Sequence, residues 1–171
     1  MNPAIRAGLT LIAIGILGLS GCTRPPESAR SREGGSMTGT TDQTVAMATL
    51  REAYSAFNRG DMDAAVAGLD PQIEWNEPPE FPGGGAYHGR EAVKGYLTQS
   101  RANWAEGASE PEQMIPAGDR IVVMVHARFR LKGSETWQDV KLADVYTVRD
   151  GKIVAMRAFA DRQEALRWAG K

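Results

Sequence analysis

Three strand-like segments at the C-terminal end, joined by two tight turns, constrain this chain more than anything else in it. Arg120–Leu131 places Ile121, Val123, Val125, Ala127, Phe129 and Leu131 on one side and Val122, Met124, His126, Arg128 and Arg130 on the other, the alternation of a β-strand. Gly133-Ser134 turns into a second strand whose inward set is Val140, Leu142, Asp144, Tyr146 and Val148. Asp150-Gly151, a strong hairpin signal, turns into a third with Ile153, Ala155, Arg157 and Phe159 on the same face. Two-residue turns set register. Counting from Gly133-Ser134 pairs Lys132 with Glu135, Arg128 with Asp139 and Val123 with Asp144; counting from Asp150-Gly151 pairs Val148 with Ile153, Tyr146 with Ala155 and Asp144 with Arg157. Opposite charges meet repeatedly in that register, which supports it. The expectation is a polar island, Asp144 with Arg157, in an apolar field, and hence a ligand pocket whose ligand is unspecified.

Upstream the periodicity changes. Met47, Leu50, Tyr54 and Phe57 recur at helical spacing, and Asn58-Arg59-Gly60 is a C-terminal stop. Asp61 can cap a short second helix over 62–69, which Asp70-Pro71 ends. Ile73-Glu74-Trp75 reads as a brief strand running into a proline- and glycine-rich loop over 76–85. A third helix over 90–104 carries Val93, Tyr96, Leu97 and Trp104, and 110–116, with its two prolines, reads as an edge strand. Helices first and a meander afterwards predict an α+β fold with three N-terminal helices against one face of an antiparallel sheet.

The N-terminus bears on location. Arg6 precedes a short apolar run over 7–19, too short to span a bilayer comfortably, and Leu19-Ser20-Gly21-Cys22 follows at once. That tetrapeptide resembles the lipobox of bacterial lipoproteins, and the only cysteine of the chain stands where the motif requires it. The resemblance implies a signal peptide over 1–21, lipidation of Cys22 with palmitate among the acyl chains, and a membrane-anchored, exported protein in the bacterial cell envelope, on the periplasmic side. Thr23 stands where an aspartate would retain a lipoprotein in the inner membrane, which favours the outer one. Residues 22–42, rich in Ser, Thr, Gly, Pro and charge, read as a flexible tether, and 43–171 as one domain.

Composition narrows the chemistry. With 20 basic against 21 acidic side chains, unclustered, nothing calls for nucleic acid. Two histidines and no cysteine beyond Cys22 give no metal-site pattern. Gly83-Gly84-Gly85 lacks the strand-then-helix context of a dinucleotide fingerprint, so no cofactor is expected.

The runs Ala56-Phe57-Asn58-Arg59-Gly60-Asp61, His88-Gly89-Arg90-Glu91-Ala92-Val93 and Asp150-Gly151-Lys152-Ile153-Val154-Ala155-Met156-Arg157-Ala158-Phe159, with the Asp70-Pro71 break, resemble a SnoaL-like domain. This is a branch of the nuclear transport factor two-like superfamily, which also holds ketosteroid isomerases and polyketide cyclases. The resemblance implies a cone, a strongly bent sheet wrapped around helices with a pocket on its concave face. Carried over from the isomerases, the general base falls on Glu77, before Pro78, and the neutral acid that donates to an oxyanion falls on Asp144. The oxyanion tyrosine falls on Ala53, with Tyr54 one place later. Tyr54, Trp75, Tyr146, Arg157 and Phe159 are the expected ligand contacts. An apolar outer set, Val122, Met124, Ala143, Val145, Val154, Met156 and Ala158, predicts a homodimer through that face, as in related families. Three functions stay open: a module binding a small hydrophobic, partly polar molecule, an isomerase- or cyclase-type enzyme using Glu77 and Asp144, and an envelope interaction domain with a vestigial pocket.

Overall fold

Leu50 and Tyr54, one helical turn apart, are both buried, and they mark the face by which the first helix joins the core. In the computed structural model the described residues are Gly35–Lys171, with side chains from Thr41 onward. The segment expected as signal peptide, Cys22 and the beginning of the expected tether lie outside them. Helix α1 spans Gly35–Arg59, so it starts inside the stretch expected as tether. Once Ala46 and Leu50 are packed, each further turn towards the N-terminus adds backbone hydrogen bonds without a new nucleation cost. Gly60, at φ +82°, ends the helix. Helix α2, Met62–Val66, is capped by the Asp61 carboxylate, which accepts from the Ala64 amide. Helix α3 is Arg90–Ala102.

Six strands form one strongly bent sheet: β1 (Leu69–Glu77), β2 (Gly85–His88), β3 (Trp104–Ala117), β4 (Arg120–Leu131), β5 (Trp137–Arg149) and β6 (Lys152–Phe159), in the order β2-β1-β6-β5-β4-β3. All neighbours are antiparallel except β1 and β6, which run parallel, so the sheet is mixed rather than wholly antiparallel as expected. Strand β3 lies at the sheet edge, where Pro111 and Pro116 are tolerated. Strand β2, hidden in the glycine-rich segment, had no strand signal of its own.

The β4–β5 register is the one counted from the turn: Arg128 faces Asp139 and Val123 faces Asp144. The β5–β6 register is not. Val148 pairs with Ile153, but Thr147 pairs with Ala155, leaving Val154 as an extra residue on β6. This β-bulge moves every later β6 side chain to the other face. Met156 and Ala158 turn inward opposite Tyr146 and Asp144, whereas Arg157 and Phe159 point outward opposite Val145 and Ala143. The expected Asp144–Arg157 pair therefore does not form.

A fourth helix, α4 (Arg162–Ala169), covers the outer face. Asp161 caps it by accepting from the Gln163 amide at 2.7 Å, and Gly170, at φ +82°, terminates it. Ala165 and Ala169 pack onto Ala117, Val122, Met124, Ala143, Val145 and Phe159, a second core behind the sheet. Arg162 ties the helix down through the Val125 carbonyl (2.6 Å), the Leu142 carbonyl (3.1 Å) and the Glu112 carboxylate (2.8 Å). The apolar face that suggested a second copy of the chain thus has an intramolecular cover, and the argument for a homodimer through it lapses.

Candidate functional site

The concave side of the sheet and helices α1 and α3 enclose a cavity of about 460 Å³. Helix α1 supplies Leu50, Ala53, Tyr54 and Phe57, which share a face because they recur three to four residues apart. Strand β1 supplies Trp75 and Glu77, two residues apart and hence on one face. Strand β5 supplies Val140, Leu142, Asp144 and Tyr146 by the same alternation. The far wall is aromatic: Trp104 stacks on Phe129 at 4.2 Å between centroids and meets Phe57 edge-on at 5.4 Å.

Two carboxyl groups open onto this space. The Tyr54 hydroxyl donates to Asp144 Oδ2 at 2.5 Å and lies 3.2 Å from the Tyr146 hydroxyl, so three groups from α1 and β5 form one polar cluster. The Trp75 indole N–H donates to Glu77 Oε1 at 2.8 Å, and the Tyr96 hydroxyl on α3 faces Glu77 and, like Trp75, favours its ionised form. Trp75 meets Tyr146 edge-on at 6.2 Å, joining the two halves of the site. Burial raises Glu77 to about 8, helped by the negative field of Asp144 and opposed by Trp75 and Tyr96. Burial likewise raises Asp144 to about 6, against the bond from Tyr54, which favours the ionised form. Tyr54, Tyr96 and Tyr146 are all pushed up, first by burial and then by the neighbouring acids, so they stay neutral donors.

Glu77, Asp144, Tyr54, Trp75 and Tyr146 are therefore brought together. Ala53 and Tyr54 both line the cavity, and it is Tyr54 that reaches Asp144. Arg157 and Phe159 are not in the site. The bulge at Val154 turns both outward, where the Arg157 guanidinium lies 5.4 Å from the Phe159 ring and 5.8 Å from Trp168. Without Arg157 opposite it, Asp144 has no cationic partner among the described residues holding it ionised. The interior is not plugged by its aromatics, as a vestigial pocket would be.

Tyr96 and Phe81 were missed as site residues. Tyr96 belongs to the apolar stripe of α3, which conceals a polar role; Phe81 sits in the loop over 78–84, where sequence carries no facing information. That loop is held by Tyr87, which stacks on Tyr96 at 4.6 Å and donates to the Gly83 carbonyl at 2.5 Å. Gly84 is required there, since a Cβ would lie 2.1 Å from the Pro78 carbonyl oxygen. Among the described residues no three metal-ligating side chains gather at one point.

The family model described as "SnoaL-like domain" matches residues 50–156, more than half of the chain. No curated protein matches it. Among solved structures, a protein of unknown function with the nuclear transport factor two-like fold, from Burkholderia pseudomallei, is 28% identical, with a TM-score of 0.61 over 74% of this chain and 98% of that one. TerC, crystallised with polyporic acid, is 22% identical, with a TM-score of 0.60 over 74% and 99%. A candidate SnoaL-like polyketide cyclase from Jannaschia is 18% identical, with a TM-score of 0.58 over 70% and 85%.

Proposed function

The chain belongs to the SnoaL-like family, and from that premise we propose that its cavity performs acid–base chemistry on a small hydrophobic carbonyl compound. One observation carries the reading: Glu77 and Asp144, from different strands, open onto the same apolar cavity, with the Tyr54 hydroxyl on Asp144. In the reaction the Glu77 carboxylate takes a proton from the carbon next to the carbonyl. The C–H electron pair forms the C=C bond of an enolate, and the charge moves to oxygen, where the neutral tyrosine hydroxyls of the cavity hold it. With a β,γ-unsaturated substrate the enolate is a dienolate; Glu77 then returns the proton at its γ-carbon, the remaining double bond shifts into conjugation, and an isomer and the starting enzyme are left. A base near 8 is well matched to a weakly acidic C–H at neutral pH. The fold shared with a candidate polyketide cyclase and with a protein crystallised with polyporic acid is compatible with such ligands.

A second reading, binding without turnover, has its own support: the Tyr54 hydroxyl is engaged by Asp144 rather than aimed at open space. The test is one experiment on the full chain, by thermal shift against planar phenols and cyclic ketones, followed by NMR of deuterium uptake beside the ketone carbonyl in D₂O. Stabilisation and exchange, both lost in Asp144→Asn and exchange lost in Glu77→Gln, support the enzyme. Stabilisation without exchange leaves a binding module, and no response to any compound removes both readings. We further propose that Cys22 anchors the protein by lipid in the bacterial envelope, facing the periplasm, most naturally at the outer membrane. Metabolic labelling with an alkyne fatty acid, abolished by Cys22→Ser, checks this.

A further inference from the structure

We infer that the same cavity has a second ligand class, hydrophobic amines bound as ammonium cations against Glu77, Asp144 and the rings of Tyr54, Trp75 and Tyr146. The inference rests on the cavity being a ligand site, as proposed above, but not on the carbonyl chemistry. Its first support is the charge of the lining: two carboxyl groups and no lysine, arginine or histidine. An anion entering would meet only like charge in a poorly screened space, whereas a cation would supply the counter-charge both acids lack.

The second support is the arrangement of rings. Tyr54 bonds to Asp144, Tyr146 contacts Tyr54, and Trp75 bonds to Glu77 while meeting Tyr146 edge-on, so three aromatic side chains border the acids, their O–H and N–H edges turned towards them. Ring faces carry negative potential and attract ammonium groups, more so when water is excluded. Outside the cavity the chain already uses this pairing. Arg120 lies 4.1 Å over Trp168 and Arg128 lies 4.4 Å over Trp137. Arg101 lies 5.6 Å from Trp104, yet it is not part of the cavity wall. Among the described residues the rings of Tyr54, Trp75 and Tyr146 have no arginine or lysine over them.

A third line is linkage. The titratable groups facing the acids are Tyr54 and Tyr146 at Asp144 and Tyr96 at Glu77, all neutral donors, so the acids alone take up or release protons. A bound cation favours their ionised forms. Binding should therefore release protons and tighten as pH rises between about 6 and 8.

The experiment compares isosteres on the full chain by tryptophan fluorescence titration. Benzyltrimethylammonium is set against neopentylbenzene, its uncharged carbon analogue, and against phenylacetate, with 2-naphthol as the neutral phenol. A permanent cation removes any titration of the ligand itself. The expected result is a cation Kd at least about tenfold below that of the uncharged analogue, no phenylacetate binding, and an affinity rising up to about tenfold from pH 6.5 to 7.5. Glu77→Gln should flatten that rise, and Asp144→Asn gives a second variant if the first does not fold. Equal affinity for cation and analogue overturns the inference. So does naphthol binding without cation binding, which leaves the proposed function standing. If neither binds, both fail.

Discussion

Replacing Glu77 with glutamine should make the protein more stable at alkaline pH while changing little at acid pH. The folded state holds the Glu77 proton to about 8, against an ordinary carboxyl value of 4.5. A folded-state value above the unfolded one means the folded state binds the proton more tightly. The associated stability is complete below about pH 4.5 and is lost as pH rises through 8. At about 1.4 kcal/mol per pH unit the whole gap is about 5 kcal/mol, of which about 4 falls between pH 5 and 8.5. Glu77 faces a cavity that water can enter, so about 3 kcal/mol is the expected residue of this effect. Glutamine keeps an oxygen to accept from the Trp75 indole and has no charge to desolvate. Urea unfolding followed by tryptophan fluorescence, from pH 5 to 8.5, measures it. The wild type should lose about 3 kcal/mol more than the variant across that range. Parallel pH curves for the two proteins would refute the claim that Glu77 is buried as an acid, and with it the general base.

Three further outcomes follow from the same contacts. Tyr54→Phe leaves Asp144 and the Tyr146 hydroxyl without a partner; it should cost about 1–3 kcal/mol and move Asp144 further above 6, read by carboxyl carbon NMR. Gly107→Ala forces a side chain to φ +119° with its Cβ 2.3 Å from the Arg128 carbonyl oxygen; the β3 edge must shift, for about 3 kcal/mol in urea unfolding. Asp161→Ala removes the α4 cap and should cost about 1 kcal/mol, with faster amide exchange in residues 162–169 and unchanged ligand binding.

The expected registers show where local rules stop. Gly133-Ser134 led to the observed β4–β5 pairing because nothing interrupts those strands, and alternation carried Asp144 correctly inward. From Asp150-Gly151 the count holds for one pair and then fails at Val154. A bulge has no obligatory residue type here, and the alternating apolar residues of β6 fit either face. Helix α4, by contrast, is legible: Asp161, Glu164 and Gly170 are cap signals at the right spacing, although they follow the meander. Tyr96 and Phe81 were not legible, since one lies in an apolar stripe and the other in a loop.

The sequence by itself determined the periodic elements, the family, the facing of β5 and the residues Tyr54, Trp75, Glu77, Asp144 and Tyr146 as companions. Each depends on spacing along one strand or helix, or on motifs of a few residues. Only the tertiary structure decided which charges meet across the sheet. It removed Arg157 from Asp144 through a single extra residue, and covered the outer face with α4. It also buried two acids, and that desolvation raises their affinity for protons against the bonds from the neighbouring rings. Those outcomes depend on distances between elements remote in the chain, and electrostatics in a largely apolar cavity is set by such distances rather than by residue type.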